Sequence, residues 1–446
     1  MNFNFAADLL KDLFLEFNKH NVRYAVLRNY EGLPDSNSSK DVDILISQND
    51  VKFVTKLIFK VSKENNYQII WKSKLDYLKG FVFCKLGDDK VFSIKLDIFN
   101  GFKWRGMSYL NEAEVLNSAI EYNGFKVPRK AHEAFSLIIY DICYAKKVRE
   151  KYFEKIHTNA MSDIDAFKEI VMSHFDTSLA NDIIECVEQN LIFKLVELRP
   201  KIRLSIIKNN IMHMRYIRNL FFHIKTEYWD RRRMGILLAF SGPDGAGKST
   251  LVGGLAELFF SLGVSSVKKP HHFLTSRIPS LHQLPGAPKK YARQDYTKPY
   301  QSKTPRFLSS TVRLIYYYIA FLFDQMVFLK KERRQNRIII FDRYYTDLIV
   351  DPTRIRIGLR KKIVQALFRF LPKPHGLFIV IADKALILER KQELSEQKLE
   401  ELLYEYQQLS ESYPSGGLVE NNGTIGEGKE ILYKKVFDLL ERHYSK

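Results

Sequence analysis

The stretch Gly242, Pro243, Asp244, Gly245, Ala246, Gly247, Lys248, Ser249 fits G-x-x-x-x-G-K-[ST] at every fixed position. Glycines at this spacing let the backbone curl until successive N–H groups point at phosphate oxygens, and a helix starting there adds partial positive charge. Lys248 has the reach for β- and γ-phosphates, and Ser249 offers a hydroxyl to Mg²⁺. Gly242, Asp244, Gly245, Ala246, Gly247, Lys248, Ser249 and Thr250 are thus the candidate ATP-binding residues, with Mg²⁺ as companion ion. A second pair, Asp342 and Arg343, closes the apolar run 338–341. At the carboxyl end of a strand, Asp342 can hold Mg²⁺ water or an attacking hydroxyl, and Arg343 can grip a phosphate bidentately. The plainer alternative is a surface ion pair. A third set is Asp41 and Asp43, which open the run 42–46, with Asp97 inside the run 94–99. Strand alternation puts Asp41 and Asp43 on one face. If the strand of Asp97 lies beside them, three carboxylates converge, a donor set for one or two Mg²⁺ ions.

The elements that must position these groups follow from period and punctuation. Apolar residues at Ala6, Leu9, Leu10, Leu13, Phe14 and Phe17 predict a helix over 5–20. Runs at 22–27, 42–46, 68–71, 81–85 and 91–99 predict strands, with Gly87, Asp88 and Asp89 turning between the last two. From 129 to about 209 the pattern is helical. The expected organisation is an α+β domain at 1–130, a helical subdomain at 131–198 and a basic connector at 199–233. Beyond it, 234–446 alternates strand, loop and helix: strands at 236–240, 338–341 and 377–381, helices at 250–262 and 429–442. That grammar predicts an α/β domain with a parallel sheet flanked by helices. The segment 269–305 is basic and proline-rich without clear period, and the helix 310–330 carries Tyr316, Tyr317, Tyr318 and Asp324. The aromatic stripe is expected to pack in the core, and Asp324 to be solvated or to pair with a basic group of the site. His132, His271 and His272 lack ligand spacing and are expected to be solvated or in the core.

Together, the loop 242–250, the run Phe341, Asp342, Arg343, Tyr344 and a late Arg390, Lys391, Gln392, Glu393, Leu394 resemble thymidylate kinase over about 235–446. The finer pattern Asp342 to Asp347, then Asp351, Pro352, Thr353, Arg354, is closer to thymidylate kinase-like proteins associated with surface-polysaccharide synthesis. The resemblance implies phosphoryl transfer from ATP. It gives Lys248, Asp342, Arg343 and a lid arginine, Arg390, catalytic roles, and Asp244, Arg343 and Arg354 contact with the acceptor. It further implies a nucleotide, sugar or glycan acceptor, or dTMP itself, and a dimer. Residues 20–130 resemble the nucleotidyltransferase fold, which implies a metal-binding role for Asp41, Asp43 and Asp97. That family usually has Gly-Ser where Arg28 and Asn29 stand here, twelve residues before Asp41. An active transferase, an inactive or substrate-binding relative, and carboxylates at strand ends by chance all remain open.

Charge separates the partners. The formal net charge is +19, yet residues 1–200 are balanced at 28 Lys+Arg and 28 Asp+Glu. Residues 201–400 hold 37 against 15, so the excess meets an anion there. A glycan or small-molecule acceptor, or an anionic membrane touched by the connector, suits this pattern; no recognised nucleic-acid fold accompanies it, so nucleic acid ranks last. A non-catalytic ATP-binding scaffold at a membrane is the second reading. Three scattered cysteines, Cys84, Cys143 and Cys186, form no CxxC pair and predict a reducing, cytoplasmic setting, and the basic connector extends that expectation to the inner membrane surface. Asp8, Lys11 and Asp12 break any secretory signal. The longest apolar run, 314–323, is ten residues against the roughly 20 of a membrane span, so none is expected.

Overall fold

Short apolar and β-branched runs give two main sheets, each with its own helices. The computed structural model describes residues 2–88, 90–145, 147–211, 215–227, 235–265, 269–274, 307–355, 357–391 and 394–445. Asp89, Gln392, Glu393, the end of the basic connector and most of the segment 269–305, all named above, lie outside these residues. Two units emerge: one from Phe3–Lys85 and Val91–Asp230, the other built on Arg231–Lys446.

In the first unit, β1 (Asn2–Phe5) leads into α1 (Ala7–Lys19), whose Leu9, Leu10, Leu13, Phe14 and Phe17 are buried at helical spacing. The sheet then runs β2 (Tyr24–Val26), β3 (Val42–Ile46), α2 (Val51–Glu64), β4 (Gln68–Lys74), β5 (Leu78–Gly87) and β6 (Lys90–Phe99). Its order is β2-β3-β6-β5-β4, with β1 also on β6. The β3–β6 pairing is parallel and sets Asp43 opposite Asp97. Two small hairpins follow, β7 (Phe102–Trp104) with β8 (Met107–Leu110) and β9 (Ile120–Tyr122) with β10 (Phe125–Val127). The helices, beginning with α3 (Lys130–Tyr144) and reaching α4 (Arg199–Ile211), bury Phe135, Ile138, Ile142, Phe167, Val187 and Ile202 in one core with Leu45 and Phe99 of the sheet. The segment 131–198 and the start of the connector therefore share this unit's core. The connector's α5 (Arg215–Lys225) closes the unit.

The second unit begins with β11 (Ile236–Ser241), the phosphate loop and α6 (Lys248–Ser261). Then come β12 (His271–His272), α7 (Phe307–Phe323), β13 (Ile338–Asp342), α8 (Tyr345–Val350), β14 (Gly376–Ile381), α9 (Glu396–Ser412), β15 (Gly416–Glu420) and α10 (Ile425–Tyr444). The order β12-β13-β11-β14-β15 is parallel throughout. Burial on both faces explains the unbroken apolar runs of β11, β13 and β14. The α/β architecture with a parallel sheet flanked by helices is as expected.

Helix α7 differs from expectation. With the π-helical turn 324–329 and a short helix after it, the stretch Phe307–Arg334 is 28 residues, long and apolar enough to cross a membrane by length and composition. Counting only uninterrupted apolar residues missed this, because Asp324 ends the run but not the helix. Leu314, Tyr317, Ala320 and Phe321 pack into the unit's core. Asp324 is buried at the π-helical turn, and burial, then the Asp324 charge, raises the Tyr344 phenol. Cys84 and Cys143 are buried and Cys186 half-buried, all as free thiols.

His375 precedes β14, and its Nδ1 accepts the Leu237 N–H at 3.1 Å. Burial, then the charges of Arg333 and His443, push the imidazole down to about 4. Its folded value lies below its unfolded one, so this contribution is complete above about pH 6.5 and lost as pH falls toward 4. We expect about 2 kcal/mol of acid destabilisation from this group, allowing for its partial exposure. In chemical denaturation from pH 7 to 4, His375→Gln should lose less stability than the parent; an identical slope would remove this assignment.

Candidate functional site

The loop's backbone needs its glycines. Gly242, at φ +147°, lies so close to β14 that a Cβ would stand 2.1 Å from the Val380 carbonyl oxygen. At Gly247, at φ +81°, a Cβ would meet Asn421 Nδ2 at 2.3 Å. Asn421, just past β15, donates from that nitrogen to the Ala246 carbonyl at 2.9 Å, fixing the loop from the far side of the sheet. Nothing in its sequence context marks it for this role.

Lys248 begins α6 and is buried, so desolvation, helped by the Arg343 charge, lowers its ammonium to about 8 against the pull of Asp347, Asp342 and Asp244. A phosphate beside it would restore the missing counter-charge. Ser249 and Thr250 are exposed at the same helix start. Parallel pairing of β11 with β13 sets Phe240 opposite Asp342, and the Ser249 hydroxyl donates to Asp342 Oδ2 at 2.6 Å. Asp342 Oδ1 is buried without a hydrogen-bond partner. A hydroxyl and a carboxylate side by side, with one anionic oxygen unmatched, fit Mg²⁺.

Asp342 and Arg343 do not form the surface ion pair considered above. Arg343 has φ +79°, uncommon for a non-glycine residue, and its side chain is buried. It pairs with Asp244, and its Nη1 donates at 3.3 Å to both Asp347 Oδ1 and the Gly242 carbonyl. Arg354 reaches Asp244 Oδ2 at 2.6 Å and Lys391 lies 3.7 Å from it. Despite the cost of burial, these cations and Lys248 hold the Asp244 carboxyl far below the usual range. The three residues implied for the acceptor, Asp244, Arg343 and Arg354, are thus one cluster. Arg390 is exposed, its Nη1 3.5 Å from the Gly245 carbonyl, on the loop's outer edge.

Beneath the cluster sits Asp347, which the sequence offered only as part of a longer pattern. Its carboxylate accepts from Tyr406 at 2.6 Å, Ser241 Oγ at 3.1 Å, the Tyr344 N–H at 3.3 Å and the Gly242 N–H at 3.4 Å. His272, expected to be solvated or in the core, is exposed but stands opposite Asp342 in the β12–β13 register. Partial desolvation and the charges of Arg343, Arg354 and Lys248 lower its imidazole, while Asp342 raises it.

In the first unit Asp41, Asp43 and Asp97 do converge, with one carboxylate oxygen of each within 4.8 Å of the others. Burial, with the mutual charges, raises Asp97 to about 7, and burial raises Asp43. Asp43 Oδ1 is buried and unpartnered, which fits a divalent cation. Two side-chain cations compete for that place. Arg28 donates to Asp43 Oδ2 at 2.5 Å, and Lys95 lies 3.3 Å from Asp41 and 3.2 Å from Asp97. Lys95 was not singled out from sequence, although alternation puts it on the face of Asp97.

No protein family and no curated protein matches the chain. Among solved structures it is similar to the thymidylate kinase from Candida albicans, at 18% identity over 47% of this chain and 94% of that one, TM-score 0.33. It is also similar to the thymidylate kinase from Ehrlichia chaffeensis, at 15% identity over 45% of this chain and 97% of that one, TM-score 0.30. Values this low carry nothing about chemistry, which rests here on the side chains alone.

An ion entering the first unit's cluster must displace the Lys95 ammonium. In an Asp342→Asn background, Lys95→Met should therefore tighten Mn²⁺ binding, read by paramagnetic resonance, by about tenfold or more, since a like charge near the ion is removed. Adding Asp43→Asn should erase the gain. Unchanged affinity in Lys95→Met would mean that the ammonium does not compete.

Proposed function

We propose that this protein is a Mg²⁺/ATP-dependent phosphotransferase of the nucleotide-kinase type, acting on a nucleotide, sugar or glycan acceptor in polysaccharide biosynthesis, in the cytoplasm. The observation that carries the reading is the Ser249–Asp342 hydrogen bond at the mouth of a complete phosphate loop, with the buried Lys248 beside it. Loop N–H groups and Lys248 would bind the β- and γ-phosphates and stabilise charge that grows on them in transfer. Mg²⁺, held by Ser249 and Asp342, would supply further charge neutralisation. Asp342 Oδ1 is also the group that can orient an acceptor hydroxyl. Asp244, Arg343 and Arg354 form a pre-organised patch at which an acceptor anion can exchange for the Asp244 contacts, and Arg390 can close over the loop.

For the first unit we favour the binding relative over the active transferase. Arg28 and Lys95 already neutralise the carboxylates that a two-ion transfer would need, and Arg28 stands where the nucleotidyltransferase fold usually grips its triphosphate. The unit would then present an acceptor.

Incubation with labelled ATP and a panel of dTMP, other nucleoside monophosphates, sugars and glycan fragments should identify one phosphorylated acceptor. Lys248→Ala and Asp342→Ala should each lower that transfer by about 10² to 10³. Asp43→Asn should leave the chemical step unchanged when acceptor is saturating. Half-activity in Lys248→Ala would sink the kinase reading, and dTMP as the sole acceptor would make this a genuine thymidylate kinase.

A further inference from the structure

Helix α5 turns its apolar side outward. Tyr216 packs against the first unit's core, and His223 Nδ1 lies 3.2 Å from the buried Asp76. The backbone at Asn219 is so close to Gly106 that a Cβ there would meet its carbonyl oxygen at 3.0 Å. These contacts fix one side of the helix. The 3.6-residue period then collects Ile217, Phe221 and Ile224 on another, where they are 67%, 70% and 48% exposed. Water-facing aliphatic and aromatic side chains in a row, on a helix already anchored, call for a covering partner.

Charge chooses the partner. Arg218 and Lys225 are exposed along the edge of the stripe, and Lys208 is exposed on α4, where Lys201 is paired with Asp182 at 3.3 Å. From Arg199 to Thr226 the sequence has seven Lys and Arg and no Asp or Glu. A second copy docking on the same face would bring like charges together, which disfavours self-association. A nucleic acid would meet the charge but offer nothing to Ile217 and Ile224, which do not stack on bases. An anionic bilayer surface satisfies both halves, with acyl chains for the stripe and headgroups for the bordering cations.

We propose that α5 is a membrane-contact element, seating Ile217, Phe221 and Ile224 in the interface of an anionic lipid surface. This docking is independent of the kinase reading and holds whichever acceptor is used.

The full-length chain should co-sediment with vesicles of phosphatidylcholine and phosphatidylserine, and at least tenfold less with phosphatidylcholine alone, the binding weakening as salt rises. Phe221→Ser and Ile217→Ser should each weaken it by about tenfold, with the melting temperature unchanged because both side chains are exposed. Should either serine variant unfold, Arg218→Glu with Lys225→Glu tests the same face, and should lose binding to the anionic vesicles. Ile315→Ser with Ile319→Ser on the exposed side of α7 is the control and should keep full binding. The proposal is overturned if the α5 variants bind as the parent does, if neutral vesicles bind equally, or if only the α7 variant loses binding. A dimer in ultracentrifugation that Phe221→Ser dissolves, without vesicle binding, would assign the stripe to a second copy instead.

Discussion

Asp347 is one buried carboxylate from which the crevice beside the phosphate loop of the second unit is built. It receives the Arg343 guanidinium, two hydroxyls and two backbone N–H groups, so its negative charge is matched without water. The same contacts tie the end of β11 to the start of α8 and, through Tyr406, to α9. Removing one member of such a set leaves an uncompensated buried charge, typically costing about 3 to 5 kcal/mol. Arg343 in turn holds Asp244, and Asp244 holds Arg354 and Lys391. Loop, strand ends, Arg354 and Lys391 are thus linked through a chain of ion pairs that begins at Asp347.

The two units treat clustered carboxylates in opposite ways. At the phosphate loop, Asp342 keeps one oxygen unmatched while Lys248 is held with its ammonium destabilised by burial. Both are poised for charges that arrive with a ligand. In the first unit Arg28 and Lys95 sit inside the triad, and two of three negative charges are met internally. A site satisfied by its own side chains resists an incoming ion, so equally convergent aspartates are electrostatically different there.

Where the positive charge lies also acquires a meaning in three dimensions. Part of the excess in residues 201–400 lines the crevice as Lys248, Arg343, Arg354 and Lys391, partly offset by Asp244, Asp342 and Asp347. Another part, Arg218 and Lys225, lies exposed on α5 beside an outward apolar stripe. Charge of one sign therefore stands in two physically distinct settings: paired with carboxylates beside the phosphate loop, and exposed to water beside apolar side chains on α5.

The sequence by itself determined the parallel α/β architecture, the loop from Gly242 to Thr250 and the strand ending in Asp342. Each is encoded locally, by glycine spacing, by an unbroken apolar run or by the turn between strand and helix. Alternation alone placed Asp41 and Asp43 on one face, and the parallel β3–β6 register then brought Asp97 beside them. Tertiary structure alone decided that Asn421, 175 residues beyond Ala246, holds the loop, that Tyr406 completes the shell of Asp347, and that Lys95 fills the acidic triad. It also decided the outward direction of Ile217 and Phe221, since periodicity shows that a helix has an apolar stripe but not which side is anchored. The division has one cause. Backbone conformation and burial period depend on neighbours within a few residues, whereas the balance of a buried charge depends on whatever the fold brings across the sheet.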